Sequence, residues 1–160
     1  MIHSHKFRFL TLAIVLLCNL TIMNLFVYGT LMVEAIWLSI VQGKYHGERG
    51  ILQNYSRRKL RGQIYPVMIF DPGSKIEGII YFGIHPMDLA RLDDFEGDGY
   101  KRIQVMVDGR LQDPVPCQAY LDNHSDPRVI LEDTWDFEYF LQHDYKKFLI
   151  AFPGWKSLGE

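Results

Sequence analysis

Short apolar runs with the two-residue alternation of β-strands recur along most of this chain, and they constrain its fold more than any other feature. They predict strands over residues 24–28, 76–84, 100–107 and 115–121, with two or three shorter strands between 51 and 70. Helical spacing of apolar residues is found over residues 31–41, 86–93 and 136–152. Because strands and helices do not alternate regularly, we predict an α+β fold: a small, mostly antiparallel sheet, either open or closed into a barrel, with flanking helices.

Turn-forming residues are predicted to separate the strands. Residues 43–50 are polar and flanked by glycines, which indicates a loop. Within 51–70 we expect the chain to break at Gly62 and at Pro66. The sequence Asp71-Pro72-Gly73 is a strong turn signal, and it predicts a turn before the strand at 76–84.

Each of the three helices has a predicted apolar face. In the first helix, the spacing places four residues along one face: Leu31, Ala35, Leu38 and Val41. The second helix begins at Pro86, which suits a first turn, and buries Leu89 and Leu92. The third helix is strongly amphipathic and is stopped by Pro153-Gly154.

Composition narrows the classes of partner. A chain of 160 residues with 48% hydrophobic content is long enough for one substantial core. With 17 basic and 19 acidic residues, no nucleic-acid partner is predicted. The basic run of Arg57-Arg58-Lys59 with Arg61 is interpreted as a solvated strand edge or turn, with a phosphate-binding patch as the alternative. Six histidines and two cysteines lack zinc-ligand spacing, so no metal is predicted.

The first 22 residues are an apolar extension with two open interpretations. Lys6 and Arg8 precede the apolar run 9–23, which has the charge order of a secretory signal or anchor. Alternatively, Met23 is the functional start. We therefore expect a domain over 23–153 and a C-terminal tail over 154–160. The expected location is the cytoplasm; the secretory pathway or a membrane is the alternative, with residues 7–23 as the attachment. The oligomeric state is left open.

The junction Tyr28-Gly29-Thr30-Leu31 joins a predicted strand directly to a predicted helix. Unpaired backbone N–H groups at the start of a helix point outward and favour an anion, and glycine lets a ligand approach the backbone. The alternative is an ordinary structural turn in which Thr30 caps the helix.

The acidic segment LDDFEGDGYKR, residues 92–102, is the second candidate site. An EF-hand is excluded, because its twelfth position is Val105 instead of glutamate. Glu96 follows Phe95 and precedes Gly97, so it is the carboxylate most expected to turn inward, where desolvation would raise its pKa. A solvated acidic turn is the alternative. The sequence has no nucleotide-binding or serine-nucleophile motif. If the protein is an enzyme, we therefore expect acid–base chemistry without a cofactor.

Taken together, these motifs resemble the γ-glutamylcyclotransferase-like superfamily. FVYGTLM is followed by GQIYP (62–66), EGIIY (77–81) and LDDFEGDGYKR in the same order, and TWDFEYF (134–140) is similar to the plant avirulence-induced branch. The resemblance covers residues 24–152. It implies a small mixed β-barrel with flanking helices and a central cavity.

The resemblance also implies a reaction and its residues. In this family a γ-glutamyl amine or peptide is converted to 5-oxoproline and a free amine, and here the catalytic acid/base would be Glu96. The implied binding segment for the small-molecule γ-glutamyl substrate is Leu25, Phe26, Val27, Tyr28, Gly29, Thr30 and Leu31. No cofactor is implied, because the nucleophile is the substrate's own amine. The alternative is a catalytically inactive binding module of the same fold.

Overall fold

The computed structural model describes residues 23–111, 113–123 and 129–152. Within these ranges the chain forms six strands and three helices: β1 (Met23–Val27), α1 (Glu34–Ile40), β2 (Gly47–Leu60), β3 (Pro66–Ile84), α2 (Pro86–Glu96), β4 (Tyr100–Val107), β5 (Val115–Asp122), β6 (Ile130–Thr134) and α3 (137–151). Short 3-10 helices at Thr30–Met32 and Gly97–Gly99 precede α1 and β4. The predicted N-terminal extension, the tail and Pro153-Gly154 lie outside the described residues.

The six strands form one mixed sheet in the order β4-β5-β1-β3-β2-β6. Only the β1–β5 pair in this sheet is parallel, and the other four pairs are antiparallel. A bridge between Ile51 of β2 and Asp108, just after β4, links the two sides of the sheet through two backbone hydrogen bonds of 2.9 Å. The sheet is therefore curled into a half-barrel, which confirms the predicted mixed, mostly antiparallel architecture.

Strands β2 and β3 form one long hairpin, and two predicted breaks in it are wrong. The loop expected over 43–50 ends before Gly47, where β2 begins. Asp71-Pro72-Gly73 is not a turn between strands but a bulge within β3, since Gln53 pairs with Lys75 while Tyr55 pairs with Phe70. Asn54, opposite the bulge, has a φ of 65° and its side-chain oxygen accepts from the Gly73 amide at 3.1 Å. The expected breaks at Gly62 and Pro66 do coincide with the hairpin turn.

The predicted apolar face of the first helix is correct for Leu31 and Val41, which are buried, and wrong for the two residues between them. The chain leaves helical geometry at Val33, with φ −77° and ψ 114°, so α1 starts afresh at Glu34 and its phase is shifted. Ala35 and Leu38 are consequently exposed. The buried face of α1 is formed by Ile36, Trp37 and Ile40. The Trp37 ring stacks on Tyr81 of β3 with 3.8 Å between ring centroids.

Helix α2 buries Leu89 and Leu92 as predicted, and it extends three residues beyond the predicted end. His85 caps its first turn, and Gly97, with a φ of 65°, ends it. Because the helix runs on to Glu96, the side chain of that residue is fixed by the last turn of α2 instead of by a loop.

Asp88 in α2 ties the loop after α1 to the helix. Its carboxylate accepts from the backbone amides of Gln42 and Gly43, at 2.9 and 2.8 Å, and from the Tyr45 hydroxyl at 2.6 Å. Arg91 pairs with the same carboxylate at 2.6 Å. Burial opposes ionisation of Asp88, but the hydrogen bonds outweigh it and lower its pKa from 3.8 to about 2.

We expect Asp88→Asn to lower the free energy of unfolding at pH 7 by about 2 kcal/mol, because a neutral amide cannot accept all of these bonds. The pKa of Asp88 is lower in the folded chain, so its contribution is present above pH 4 and is lost as the pH falls toward 2. Urea denaturation at pH 7 and pH 2.5 measures both effects. Asp94→Asn, at an exposed position of the same helix, is the control; equal stability of the two variants at pH 7 would contradict the account.

The third helix, α3, is helical throughout but not regular. Phe137–Tyr139 and Tyr145–Ala151 are α-helical, and the π-helical segment Phe140–Asp144 lies between them. Phe140 and Phe148 are buried on its inner face, and Phe140 packs against Trp135. None of the helices within the described ranges is long and apolar enough to cross a membrane.

Candidate active site

A cavity of about 190 Å³ opens where the end of β1, the end of α2 and the inner face of α3 meet. Fifteen of the described residues line it: Phe26, Val27, Tyr28, Gly29, Thr30, Leu31, Tyr65, Pro66, Phe95, Glu96, Gly99, Tyr100, Tyr120, Phe148 and Phe152. Both sequence motifs singled out as candidate sites therefore contribute to one cavity. Of the seven residues predicted to bind the substrate, Leu25 does not line the cavity, because it is fully buried in the core.

The junction after β1 contributes one wall of the cavity. Gly29 precedes the 3-10 helix Thr30–Met32, whose first turn is closed by a 3.0 Å bond from the Met32 amide to the Gly29 carbonyl. A 3-10 helix provides no internal partner for its first amides, here those of Thr30 and Leu31. A Cβ atom on Gly29 would lie 2.7 Å from Cγ of Pro66, so glycine permits the close approach of this backbone to β3.

Arg57, in β2, forms a hydrogen bond with the same junction. Its Nη1 donates to the Tyr28 carbonyl at 3.0 Å, and its guanidinium lies 5.6 Å from the centroid of the Trp135 ring. Burial lowers the pKa of Arg57. The interpretation of the basic run as a solvated strand edge is therefore wrong for Arg57. Its guanidinium contacts both the Tyr28 carbonyl and the Trp135 ring.

Glu96, at the end of α2, lines the same cavity next to Phe95. Glu96 is partly buried, whereas its neighbours Asp94, Gly97 and Asp98 are exposed, so the alternative of a solvated acidic turn holds for those neighbours and not for Glu96. Burial among protein atoms raises the pKa of Glu96 from 4.5 to about 8, and the negative charge of Asp93 adds to the shift. A carboxyl with this pKa can both donate and accept a proton near neutral pH.

Asp93, which the sequence analysis did not single out, is held in place by two partners. Arg102 donates to both of its carboxylate oxygens, from Nε at 2.6 Å and from Nη2 at 2.9 Å, and Tyr120 donates its hydroxyl to Oδ1 at 2.8 Å. This network joins α2 to β4 and β5 and fixes one negative charge next to Glu96. The signal available in the sequence was the position of Asp93 three residues, or about one helical turn, before Glu96.

Sequence reasoning also missed the aromatic residues that line the rest of the cavity. Tyr65 belongs to the quoted GQIYP motif and Tyr100 to LDDFEGDGYKR, so both were near a signal. Phe148 and Phe152 lie at helical spacing within the third predicted helix, and that spacing is expected for a core face as much as for a site. Within the described ranges, no cluster of three or more His, Cys, Asp or Glu side chains could hold a metal ion.

Comparison with solved structures defines the class of the fold. The chain superposes on a structure described as a gamma-glutamyl cyclotransferase with a TM-score of 0.54, at 21% identity, over 64% of this chain and 68% of that chain. It also superposes on the solution structure of an Arabidopsis thaliana protein with a TM-score of 0.63, at 29% identity, over 83% of this chain and 81% of that one. The half-barrel is thus a γ-glutamylcyclotransferase-like fold.

The sequence comparisons give the family. The family model described as "Gamma-glutamyl cyclotransferase, AIG2-like" matches residues 25–137. Protein AIG2 C of Arabidopsis thaliana is 30% identical over 131 residues, which cover 81% of this chain and 78% of that protein. The chain belongs to the gamma-glutamyl cyclotransferase, AIG2-like family.

Proposed function

We propose that this protein is a γ-glutamylcyclotransferase that converts a γ-glutamyl amine or peptide to 5-oxoproline and a free amine. The observation that carries the proposal is that Glu96, a partly buried carboxyl with a pKa of about 8, lines the same cavity as the Tyr28–Gly29–Thr30 junction. Membership of the family supports the reaction type.

The binding step uses the junction after β1. The substrate's α-carboxylate is held by the amides of Thr30 and Leu31, which have no partner inside their 3-10 helix. The γ-glutamyl chain then folds back toward Glu96, so that its α-nitrogen approaches its own γ-carbonyl. Fixing this near-cyclic geometry supplies part of the rate enhancement, since well-oriented intramolecular reactions have effective molarities of about 10⁵–10⁸ M.

The chemical step needs one carboxyl that alternates between base and acid. Ionised Glu96 takes a proton from the α-ammonium, and the resulting amine attacks the γ-carbonyl carbon to form the ring C–N bond. Protonated Glu96 then gives its proton to the departing nitrogen as the old C–N bond breaks. In total two protons leave the α-nitrogen and two reach the leaving nitrogen, which departs as an ammonium, and no water is consumed.

The test is a panel of γ-glutamyl peptides and amines incubated with the purified chain. We expect at least one member to give 5-oxoproline and free amine in equal amounts, measured by mass spectrometry. A chain that binds panel members without releasing 5-oxoproline would be the inactive binding module of the same fold, and that outcome would overturn the proposed activity.

A further inference from the structure

A continuous series of aromatic rings lines the cavity. Tyr100, Tyr65, Phe152, Phe148 and Phe95 follow one another with centroid distances of 6.5, 6.4, 4.7 and 6.5 Å. We call these five side chains the aromatic wall. Rings at such distances pack against one another and present carbon to whatever lies beside them.

Three of the four tyrosine hydroxyls among the described lining residues donate to other groups of the protein. Tyr28 donates to the Tyr120 carbonyl at 2.6 Å, Tyr100 donates to the Pro66 carbonyl at 2.7 Å, and Tyr120 donates to Asp93. A hydroxyl has one hydrogen to donate. These three groups therefore cannot donate to an anionic group on a ligand without giving up a bond inside the protein.

The charges and the size of the cavity restrict the ligand further. Among its described lining residues, Glu96 is the only Asp, Glu, Lys or Arg. A carboxylate on the leaving group would have no cationic partner at the aromatic wall, and burying an unpaired charge is costly. At about 190 Å³ the cavity is smaller than the roughly 300–1,000 Å³ of drug-sized sites, which favours a compact leaving amine beside the γ-glutamyl group.

We propose that the substrates of this site are the γ-glutamyl amides of small, uncharged, apolar amines. Amines that carry an aromatic ring on a short alkyl chain, such as phenethylamine, are preferred, and the aromatic wall selects them. This inference rests on the proposed function for the identity of the γ-glutamyl half. It assigns Tyr65 and Phe152 to recognition of the leaving amine, whereas the Tyr28–Gly29–Thr30 junction recognises the glutamyl group.

Matched substrate pairs test the charge preference. γ-Glutamylphenethylamide and γ-glutamylphenylalanine carry the same ring and differ by one carboxylate. We expect kcat/KM to be at least about thirtyfold higher for the amide, because none of the described lining residues supplies a cation for the carboxylate. γ-Glutamylpentylamide and γ-glutamylcadaverine test an ammonium in the same way, and a preference for the cadaverine derivative would overturn the inference in favour of cation binding by the rings.

The variant Phe152→Ala tests whether the wall is responsible. We expect the ratio of kcat/KM for the phenethylamide to that for γ-glutamylmethylamide to fall about tenfold, because the methylamide does not reach the wall. Ile150→Ala, two residues earlier in the chain and 70% exposed, is the matched control and should leave the ratio unchanged. Loss of stability alone would lower both rates together, so an unchanged ratio in Phe152→Ala would contradict the inference.

Binding to Glu96→Gln separates this inference from the proposed function. Titration calorimetry with the same compounds should give the phenethylamide an affinity at least tenfold above that of γ-glutamylphenylalanine. That preference without turnover by the wild-type chain would support the wall and overturn the activity. Turnover with equal or greater preference for the carboxylate compounds would support the activity and overturn the wall. Binding of neither compound would overturn both.

Discussion

Replacing Glu96 by glutamine is expected to lower kcat for 5-oxoproline release about 10³-fold or more. General acid–base catalysis contributes roughly 10²- to 10⁴-fold, and here one carboxyl serves both proton transfers. Glutamine keeps the size of the side chain, so KM should change little. The control is Asp94→Asn, which removes an exposed carboxylate two residues earlier and should retain activity. Equal loss in both variants, or none in Glu96→Gln, would contradict the role of Glu96.

The pH dependence identifies the group more specifically. In the wild-type chain, kcat/KM should rise with pH through an apparent pKa of about 8, because the ionised form of Glu96 is the base. An inflection near 4.5 instead, the ordinary value for glutamate, would indicate an exposed carboxylate that does not match the structure.

The variant Glu96→Gln is expected to have a higher free energy of unfolding than the wild-type chain at alkaline pH. The pKa of Glu96 is raised by folding, so its protonated form favours the native state fully below pH 4.5, and this contribution is lost as the pH rises through about 8. Glu96→Gln removes the cost of burying the charge. We expect it to be more stable than wild type at pH 9, by on the order of 2 kcal/mol, and close to wild type at pH 4.5. Urea denaturation at the two pH values measures this.

Replacing Gly78 by alanine is expected to have the largest effect on folding. Gly78 lies in β3 directly beside β1, and an added Cβ would meet the Val27 carbonyl oxygen and would lie 2.6 Å from the ring of Phe26. Phe26 is fully buried and the carbonyl is backbone, so neither can move aside cheaply. We expect a loss of about 3 kcal/mol or more in the free energy of unfolding.

Thermal and urea denaturation followed by circular dichroism measure the effect, and Glu77→Ala, at the exposed neighbouring position, is the matched control. Because Phe26 also lines the cavity, any folded fraction of Gly78→Ala should bind the γ-glutamyl group less tightly. Stability of Gly78→Ala equal to that of the Glu77→Ala control would contradict the close packing of β1 on β3.

The elements whose patterns depend on local spacing were predicted well from the sequence. Strands β4 and β5 were predicted to within one residue, because apolar residues recur at every second position along one face of each. The buried face of the first helix was predicted incorrectly because the helix is interrupted at Val33, which shifts the phase of the residues after it. Valine at that position is not a residue type that indicates an interruption. Asp71-Pro72-Gly73 was mispredicted because a turn signal can equally form a bulge when the partner strand continues past it.

In the candidate site, too, the residues that belong to local motifs were predicted and the contacts between different elements were not. Tyr28, Gly29 and Glu96 were predicted from motifs, and the structure brings all three to one cavity. The Asp93–Arg102 pair and the contact of Arg57 with the Tyr28 carbonyl were not predicted, because each joins two different elements, α2 with β4 and β2 with the end of β1. Such contacts depend on the register of the sheet, which local spacing does not encode.

The most direct test of the central claim, cyclisation by the substrate's own amine, is to run the reaction in ¹⁸O-labelled water. Wild-type chain and its best γ-glutamyl substrate should give 5-oxoproline without ¹⁸O, together with one equivalent of amine, because the ring keeps the original carbonyl oxygen and no water enters. Release of the amine with glutamate carrying ¹⁸O in its γ-carboxylate would identify a hydrolase and contradict the proposed mechanism.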